Sequence, residues 1–308
     1  MPSGEAIVFD TNAYRNVVRR AIDISAVRKA ETGAGQSSYA SALVLTELLT
    51  HLWDGTDPDY PQCRTAVETA HEHCRDAVEN FVRLLADPDL LTTQYLYGKS
   101  PGQQVNVNQR ISGIVRQVHD AKGGSFPDDV IDFCRTLHNH LTATEATFIA
   151  DMENFVRLID PTCSGWCPLQ NDEAARRRLL LALKKDFTLD RFAEARVHVV
   201  QGLLGKIIGS GDMAGMIAAV KERSRVGLEL QRAILKRIIE TGCDLTKKAR
   251  ENWFWDMRIS IAIGEELQGP GGRMVLITDD GAILTAAQEA GLSSHARRLE
   301  DHLKSLGM

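Results

Sequence analysis

The sequence predicts an α/β protein in which a central parallel sheet is built by the two ends of the chain and is interrupted by a large all-helical insertion. Strand-like apolar runs occur at residues 6–9 and 273–278, near the two termini. Between residues 62 and 243 the apolar positions instead follow the helical period of about 3.6 residues. Strands that alternate with helices favour a parallel sheet covered by helices on both faces. We therefore assign segments 1–55 and 244–308 to one discontinuous domain, and segment 56–243 to the insertion.

The first segment begins with the stretch AIVFD, which predicts a strand over residues 6–10. Apolar residues spaced along one face predict a helix over 12–31. The stretch SSYASALVL (37–45) predicts a second strand or a passage from strand to helix, and 45–53 is strongly helical. The cluster DGTDPDYP (54–61) ends this segment, because Gly, Pro and Asp together break regular structure.

The insertion and the tail are read in the same way. The insertion is predicted to contain helices near 62–87, 104–121, 128–160, 172–186, 188–208 and 212–241. The tail is predicted to contain a helix over 246–267, a strand over 273–278 and a helix over 285–291 that ends at a glycine. Residues 293–300 are predicted to hold a last short strand or the start of a helix.

The bulk composition narrows the class of protein. The chain has 308 residues, of which 44% are hydrophobic and 25% charged, as in a globular protein with a sizeable core. No apolar run approaches the ~20 residues of a membrane helix, and the first ten residues do not resemble a secretory signal. We therefore expect a cytoplasmic protein without a membrane partner. The net charge of −5 argues against attraction of nucleic acid to the whole surface, but it leaves room for a local basic groove.

Acidic residues stand at positions where a carboxylate needs an explanation. Asp10 ends the first predicted strand, and Asp279 and Asp280 end the strand VLIT. Glu47 and Asp256 lie within apolar helical stretches. Burying a carboxylate costs several kcal/mol unless a positive partner is near. A cluster of carboxylates suits Mg²⁺ or Mn²⁺, which prefer oxygen ligands.

Simpler interpretations exist for each of these acids. Asp10 could serve only as a helix N-cap, and Asp279 and Asp280, followed by glycine, could form only a turn. Glu47 and Asp256 could pair with basic side chains from other elements. Coordination of a metal ion and these structural roles are both open at this point.

Four segments in order, VFDTNAY, ALVLTELL, WDMRISIAI and VLITDDGAIL, resemble the PIN-domain nucleases. In that family an Asp ends the first strand, a Glu follows on a helix, an Asp starts the helix before the fourth strand, and that strand runs into T-x-D. Asp10, Glu47, Asp256 and Asp280 match these acidic positions, and Thr278 matches the threonine. The resemblance covers about 120 residues at the two chain ends.

The resemblance implies a three-layer fold and a metal-dependent nuclease, with cleavage of single-stranded RNA in many family members. It implies that the four acids bind Mg²⁺ or Mn²⁺ and are catalytic. Thr11, Asn12, Thr278 and Asp279 would support them, Asp279 being the less certain member because it occupies the variable position of T-x-D. The long helical insertion departs from the compact members of the family, which bears on substrate and biological role more than on the metal chemistry.

A polyanionic substrate needs positive charge beside the acids. Arg15 follows Asp10 along its helix, and Lys247, Lys248 and Arg250 precede Asp256, so these four residues are candidate substrate contacts. The alternative is that each is an ordinary solvated residue on a helix surface.

Several functions compete with a ribonuclease. The same fold could serve a DNA or structure-specific nuclease, or a non-catalytic module that binds RNA or protein. A haloacid-dehalogenase-like phosphatase also begins with a strand ending in Asp, but it requires D-x-D, and this chain has DTN at 10–12. The insertion is a candidate docking surface for an antitoxin-type or other protein partner, a candidate homodimer interface, or a lid over the groove.

Overall fold

Five short strands form one parallel sheet in the order β3-β2-β1-β4-β5 in the computed structural model of the chain. The structure describes residues 4–76, 81–85, 87–98, 102–163, 165–205, 210–242, 252–261 and 273–308. Most of the described residues are helical, and the predicted α/β class with a central parallel sheet and many helices is confirmed.

The described strands are β1 (Ala6–Phe9), β2 (Ser37–Ser41), β3 (Leu84–Leu85), β4 (Met274–Ile277) and β5 (Ala296–Arg297). The described helices are α1 (Thr11–Arg19), α2 (Ile24–Gly33), α3 (Ala42–Leu49), α4 (Tyr60–Cys74), α5 (Pro88–Tyr97), α6 (Gly102–Asp120), α7 (Asp128–Ile159), α8 (Trp166–Asn171), α9 (Glu173–Leu183), α10 (Phe187–Leu204), α11 (Ser210–Arg223), α12 (Arg225–Glu240), α13 (Asn252–Ile261), α14 (Gly281–Glu289) and α15 (Leu299–Ser305). Among the described residues no helix is both long enough and apolar enough to cross a membrane.

The central strand β1 pairs with β2 on one side and β4 on the other. Ile7 lies opposite Ser38 of β2 and Val275 of β4, which sets the register of the three strands. All four residues of β4 are buried, as are Ile7, Val8 and Phe9 of β1. This explains the continuous apolar runs in the sequence, because a parallel strand covered on both faces has no polar side.

The strand order creates a division between β1 and β4. From β1 the chain moves outward through β2 to β3, and it later returns to the other side of β1 to form β4 and then β5. In open α/β sheets the crevice at such a reversal, outside the carboxyl ends of the strands, is where ligands bind. Residues directly after β1 and β4 therefore occupy the position in this fold most suited to a site.

The helix predicted over 12–31 is two helices in the structure. α1 ends at Arg19, the backbone of Ala21 takes a positive φ of 51°, and α2 begins after Asp23. The Asp23 carboxylate accepts hydrogen bonds from the N–H groups of Ser25 and Ala26, so it caps the new helix. The helix predicted over 212–241 is likewise divided, with α11 and α12 separated at Ser224. Apolar spacing alone hides both breaks, because neither contains Gly or Pro.

The sheet also draws on the segment assigned to the insertion. The helix predicted over 62–87 ends at Cys74, and Leu84 and Leu85 then form β3, which pairs with Ala40 and Ser41 of β2. α4, which lies in the same segment, packs against α1, α2, α3 and β2. A strand of two residues gives no detectable alternation of apolar and polar positions, so the sequence did not predict it.

The remaining helices of the insertion reach the chain-end segments at two places: α6 and α7 pack against α3, and the tail is reached by α12. This helix packs against α9, α10 and α11 within the insertion, and against α13 and α14 of the tail. Its buried face includes Leu228, Leu235 and Ile239. The insertion therefore contacts the two helices that flank β4 in sequence.

Candidate functional site

Asp10 follows β1 directly and lies buried at the carboxyl edge of the sheet. One carboxylate oxygen, Oδ1, accepts a hydrogen bond of 2.6 Å from the backbone N–H of Ala13, so Asp10 is the N-cap of α1. The other oxygen, Oδ2, accepts a hydrogen bond from the hydroxyl of Thr278. Asp10 thus has the capping role and also faces β4, the neighbouring strand at the reversal of strand order.

The end of β4 supplies the second acidic position. Thr278 is buried, and its Oγ1 accepts a hydrogen bond of 2.9 Å from the backbone N–H of Asp280 while donating to Asp10. The Asp280 carboxylate caps α14, with Oδ1 accepting from the N–H groups of Ala282 at 2.6 Å and Ile283 at 3.1 Å. The T-x-D stretch therefore connects the ends of β1 and β4 through one hydroxyl group.

Glu47 reaches the same edge from α3, the helix that begins directly after β2. Its Oε2 accepts a hydrogen bond of 2.5 Å from the hydroxyl of Thr11, the first residue of α1. The glutamate side chain is partly buried among the apolar residues of its helix. Thr11 therefore orients Glu47, and Thr278 orients Asp10 in the same way.

Asp256 lies on α13 and is buried. Within the part of the chain that the structure describes, no hydrogen bond or ion pair reaches its carboxylate. Its helix is fixed instead through neighbouring groups: the side chain of Gln231 on α12 donates a hydrogen bond of 2.8 Å to the backbone carbonyl of Met257. Arg258 contacts Asp87 at 3.5 Å and Asp89 at 3.4 Å, at the start of α5.

The four acids form one electrostatic cluster. Burial, together with the charges of Glu47 and Asp280, raises the pKa of Asp10 to about 7 against the hydrogen bonds from Thr278 and Ala13, which lower it. Burial also raises the pKa of Asp256 well above its ordinary value, and the charges of Asp280, Asp10 and Glu47 add to this effect. Burial raises the pKa of Glu47 as well. Burial therefore disfavours the ionised forms of Asp10, Glu47 and Asp256, and acidic neighbours add to this effect at Asp10 and Asp256.

A small cleft of about 50 Å³ opens between these elements. Its lining consists of Asp10, Thr11, Asn12, Arg15, Leu43, Val44, Glu47, Asp256, Ile259 and Ile283. Three of the four acids line it, and Asp280, the cap of α14, is outside its lining. This volume exceeds the ~10–15 Å³ that one water molecule needs, so the cleft has room for an ion and its water.

Arg15 is the basic residue of this lining. Its Nη2 lies 3.3 Å from the sulfur of Cys63 and 3.4 Å from Nε2 of His51. Its positive charge acts to lower the pKa of Glu47, although burial outweighs that effect. The predicted substrate contacts Lys247, Lys248 and Arg250 lie outside the described residues.

Two predicted supporting residues have different surroundings from the acids. Asn12 is exposed on the rim of the cleft. Asp279 accepts a hydrogen bond of 2.6 Å from Asn16 of α1 and one of 3.3 Å from the backbone N–H of Leu299. Both carboxylate oxygens of Asp279 are therefore engaged in joining β4 to α1 and α15, outside the lining of the cleft.

Other parts of the structure also gather potential ligands. In the described residues, sets of three ligand atoms come within 4.8 Å of one another at His71, Glu72 and His119, and at His51, Asp57 and Asp59, but not within the four-acid cluster. The rings of His71 and His119 stack with centroids 4.1 Å apart, which aligns their nitrogen lone pairs rather than directing them at one point. The ligand atoms of the four acids are spread more widely than those of these two sets.

A larger cleft, of about 610 Å³, lies between α9, α12 and the end of α14. Its two acids are paired: Glu229 contacts Arg232, and Glu289 contacts Lys236 at 2.9 Å. It opens at the end of α14 opposite to Asp280. The acid-lined cleft is the better candidate for chemistry, because its carboxylates lack such cationic partners.

Comparison of the chain with protein-family models, with curated proteins and with solved structures finds no match. The candidate site therefore depends on the geometry above and on the sequence motifs.

His51 and Asp57 adjoin the site and were not predicted from the sequence. His51 follows Glu47 by four residues and lies two residues beyond the end of α3, and Asp57 lies in the loop before α4. The four-residue spacing of Glu47 and His51 does not place them on one helix face, because α3 ends at Leu49. The contribution of Asp57 depends on the path of a turn, which sequence spacing does not reveal.

Proposed function

We propose that this protein is a nuclease that depends on Mg²⁺ or Mn²⁺ and hydrolyses phosphodiester bonds in RNA. The observation that carries the proposal is the cluster of Asp10, Glu47, Asp256 and Asp280 at the reversal of strand order, in which burial and mutual repulsion raise the pKa of Asp10 and Asp256. Perturbed carboxylates in a cleft are typical of functional sites.

The donor set fits a hard divalent cation. All four side chains offer carboxylate oxygens, the ligands that Mg²⁺ and Mn²⁺ prefer. Asp256 is buried with no hydrogen-bond partner in the described part of the chain, so it needs a positive group in order to ionise. A divalent cation bound there would lower the pKa of a water molecule and neutralise charge on a phosphodiester. Asp10, Glu47, Asp256 and Asp280 would hold it.

The surrounding residues fix the ligands in place. Thr278 holds Oδ2 of Asp10, and Thr11 holds Oε2 of Glu47. Asp280 is fixed by two backbone N–H groups at the start of α14. Such outer contacts orient metal ligands, and their loss in metalloproteins typically lowers metal affinity or activity about 10–100-fold.

The choice of RNA rests on the resemblance of the four motifs to PIN-domain nucleases. The cleft supports a phosphodiester substrate more generally, because Arg15 stands beside the acids and can contact an anion. A DNA nuclease of the same fold would use the same acids.

The test is cleavage of labelled single-stranded RNA and DNA by the full chain with Mg²⁺, with Mn²⁺ or with EDTA. We expect RNA cleavage with the metals and none with EDTA. Asp10→Asn and Asp256→Asn should each lower the rate at least ~100-fold, because each removes a ligand charge. Asp132→Asn, which changes an exposed acid on α7, is the matched control and should retain the wild-type rate.

Three outcomes would contradict the proposal. Cleavage that persists in EDTA would exclude metal dependence, and wild-type rates in both ligand variants would exclude the acid cluster. Release of inorganic phosphate from small esters without cleavage of RNA or DNA would favour a phosphatase instead. Circular dichroism spectra of the variants must match the wild type, so that a loss of rate reports the site rather than unfolding.

A further inference from the structure

A row of polar contacts leads from the turn before α4 to the acid-lined cleft. Asp57 Oδ2 lies 2.9 Å from Nδ1 of His51, and Nε2 of the same ring lies 3.4 Å from Nη2 of Arg15. Asp57 is itself fixed, because its Oδ1 accepts a hydrogen bond of 2.8 Å from the backbone N–H of Asp59. Arg15 lines the cleft together with Asp10, Glu47 and Asp256.

The chemistry of these groups sets the direction of the contacts. A carboxylate only accepts hydrogen bonds, so the proton of the His51 ring belongs on Nδ1, facing Asp57. This leaves Nε2 as an acceptor, and a guanidinium group only donates. Asp57 therefore selects the form of His51 that can receive Arg15, as carboxylates do for the histidines of many active sites.

The direct contacts of the Arg15 guanidinium are with groups other than carboxylates, although the charges of Glu47 and Asp59 act on it through space. Its Nη2 contacts an imidazole and the thiol of Cys63, and its Nε is buried without a hydrogen-bond partner. Among the described residues no carboxylate lies within ion-pair distance of it. Arginine is rarely buried without an anion, because its charge must be compensated. The side chain is therefore held in place with its charge available to a ligand.

A metal ion bound by His51, Asp57 and Asp59 is the competing interpretation, since their ligand atoms lie within 4.8 Å of one another. The positive guanidinium of Arg15 stands against Nε2 of His51, and it would repel a cation there. Asp57 also has both oxygens engaged, one with His51 and one with the backbone. The contacts favour Arg15 as the partner of this group.

We infer that Arg15 contacts a non-bridging phosphate oxygen of a nucleic-acid strand bound at the acid cluster, and that His51 and Asp57 are positioning residues for Arg15. The inference rests on the proposed nuclease function and names how its substrate is held. A phosphate fits this place because Arg15 has no carboxylate within ion-pair distance among the described residues, and it lines the cleft beside the carboxylates that would hold the cation.

The test measures kcat and KM for cleavage of a labelled single-stranded RNA, and the binding of the same RNA in EDTA at several salt concentrations. Arg15→Gln should raise KM about 10- to 100-fold, the range for loss of a charge-assisted hydrogen bond. It should also reduce the slope of log binding constant against log salt by about 0.7, the value for one phosphate contact on a single strand. Lys29→Gln, which removes an exposed charge on α2, is the matched control and should leave KM unchanged.

A double-mutant cycle tests the positioning role. His51→Ala should raise KM several-fold with little change in kcat, whereas Arg15→Gln/His51→Ala should behave like Arg15→Gln alone. His51→Gln, which keeps an acceptor, should recover part of the loss. If the fold-changes in KM of the two single substitutions multiply in the double mutant, the positioning role is wrong. If His51→Ala lowers the affinity for Mn²⁺ but leaves KM unchanged, the metal interpretation is favoured.

The outcomes separate this inference from the proposed function. If the wild type cleaves RNA but Arg15→Gln keeps the wild-type KM and salt slope, the phosphate contact is wrong and the nuclease stands. If the wild type cleaves nothing yet binds RNA with a salt slope that depends on Arg15, the contact stands and the nuclease is wrong. If neither cleavage nor Arg15-dependent binding occurs, both are wrong.

Discussion

Replacing Asp10 by asparagine should stabilise the metal-free protein at neutral and alkaline pH. Burial and the nearby acids raise the pKa of Asp10 from 3.8 to about 7, so the native state binds its proton more tightly than the unfolded chain does. The wild type therefore loses stability as the pH rises from about 4 to 7, where the unfolded chain releases a proton that the folded chain retains. An asparagine cannot ionise, and its side-chain oxygen can still accept the capping hydrogen bond from Ala13. Its amide nitrogen cannot accept the hydrogen bond from Thr278, so about 1–3 kcal/mol of the gain is offset at every pH.

The magnitude follows from the two pKa values. Above pH 7 the difference between the folded and unfolded pKa values of Asp10 lowers the free energy of unfolding by about 4 kcal/mol, because one pKa unit is about 1.4 kcal/mol. Between pH 5 and pH 8 the contribution of Asp10 to the free energy of unfolding should fall by about 2–3 kcal/mol. Burial raises the pKa of Asp256 too, and removal of the charge on Asp10 should ease that ionisation, which adds to the effect.

The assay is urea denaturation of the wild type and Asp10→Asn at pH 5 and pH 8, with EDTA present. The pH dependence of other groups, such as His73, is shared by both proteins and cancels in the difference between them. With saturating Mn²⁺ at pH 8 the wild type should instead be more stable than Asp10→Asn. A ligand at 100 times its Kd stabilises the native state by about 2.7 kcal/mol, and Mn²⁺ should bind the variant less tightly. The same pH dependence in both proteins would refute the electrostatic cluster, and an unchanged order with Mn²⁺ would refute the metal site.

Three further predictions concern the groups that hold the site and the core. Glu31→Gln should lower the free energy of unfolding by about 3–5 kcal/mol at pH 7 in urea denaturation, because it leaves the buried His73 without its carboxylate. In the wild type the pKa of Glu31 is lowered to about 2, so the stability that its carboxylate contributes should be lost only as the pH falls from 4.5 to about 2. Thr278→Val should cost about 1–3 kcal/mol by removing the hydrogen bond to Asp10, and Thr278→Ser should restore it, as measured by thermal unfolding at pH 8. Arg258→Gln should weaken Mn²⁺ binding about tenfold in calorimetry, because α13 loses its contacts with α5, and unchanged affinity would show that these contacts do not position the site.

Much of the fold follows from the sequence because buried parallel strands leave a strong signal. The runs IVF and MVLI are apolar at every position since β1 and β4 are covered on both faces. Three features of the fold, two helix breaks and one short strand, were not predicted, for physical reasons. The turn at Ala21 and the break at Ser224 contain no Gly or Pro, and β3 has too few residues to show a period.

The candidate site was predictable to different depths. Asp10 and Asp280 were expected to lie near each other because parallel strands end at the same edge of a sheet, and one hydroxyl group links them in the structure. The approach of Glu47 and Asp256 could be expected only from the resemblance, since their helices are far apart in sequence. The contact between His51 and Arg15 depends on turn geometry and rotamers, which no local pattern encodes.

The four acids differ in what holds them, and this bears on the role of the insertion. Hydrogen bonds from the chain-end segment itself fix Asp10, Glu47 and Asp280. Asp256 has no such bond in the described residues, so its place depends on the backbone of α13. That helix is anchored by Gln231 of α12 and by the contacts of its arginine with α5, both within the segment assigned to the insertion. Because an unsupported carboxylate would move away from its acidic neighbours, the insertion supplies the restraint that keeps Asp256 at the cleft, and the site is completed by both parts of the chain.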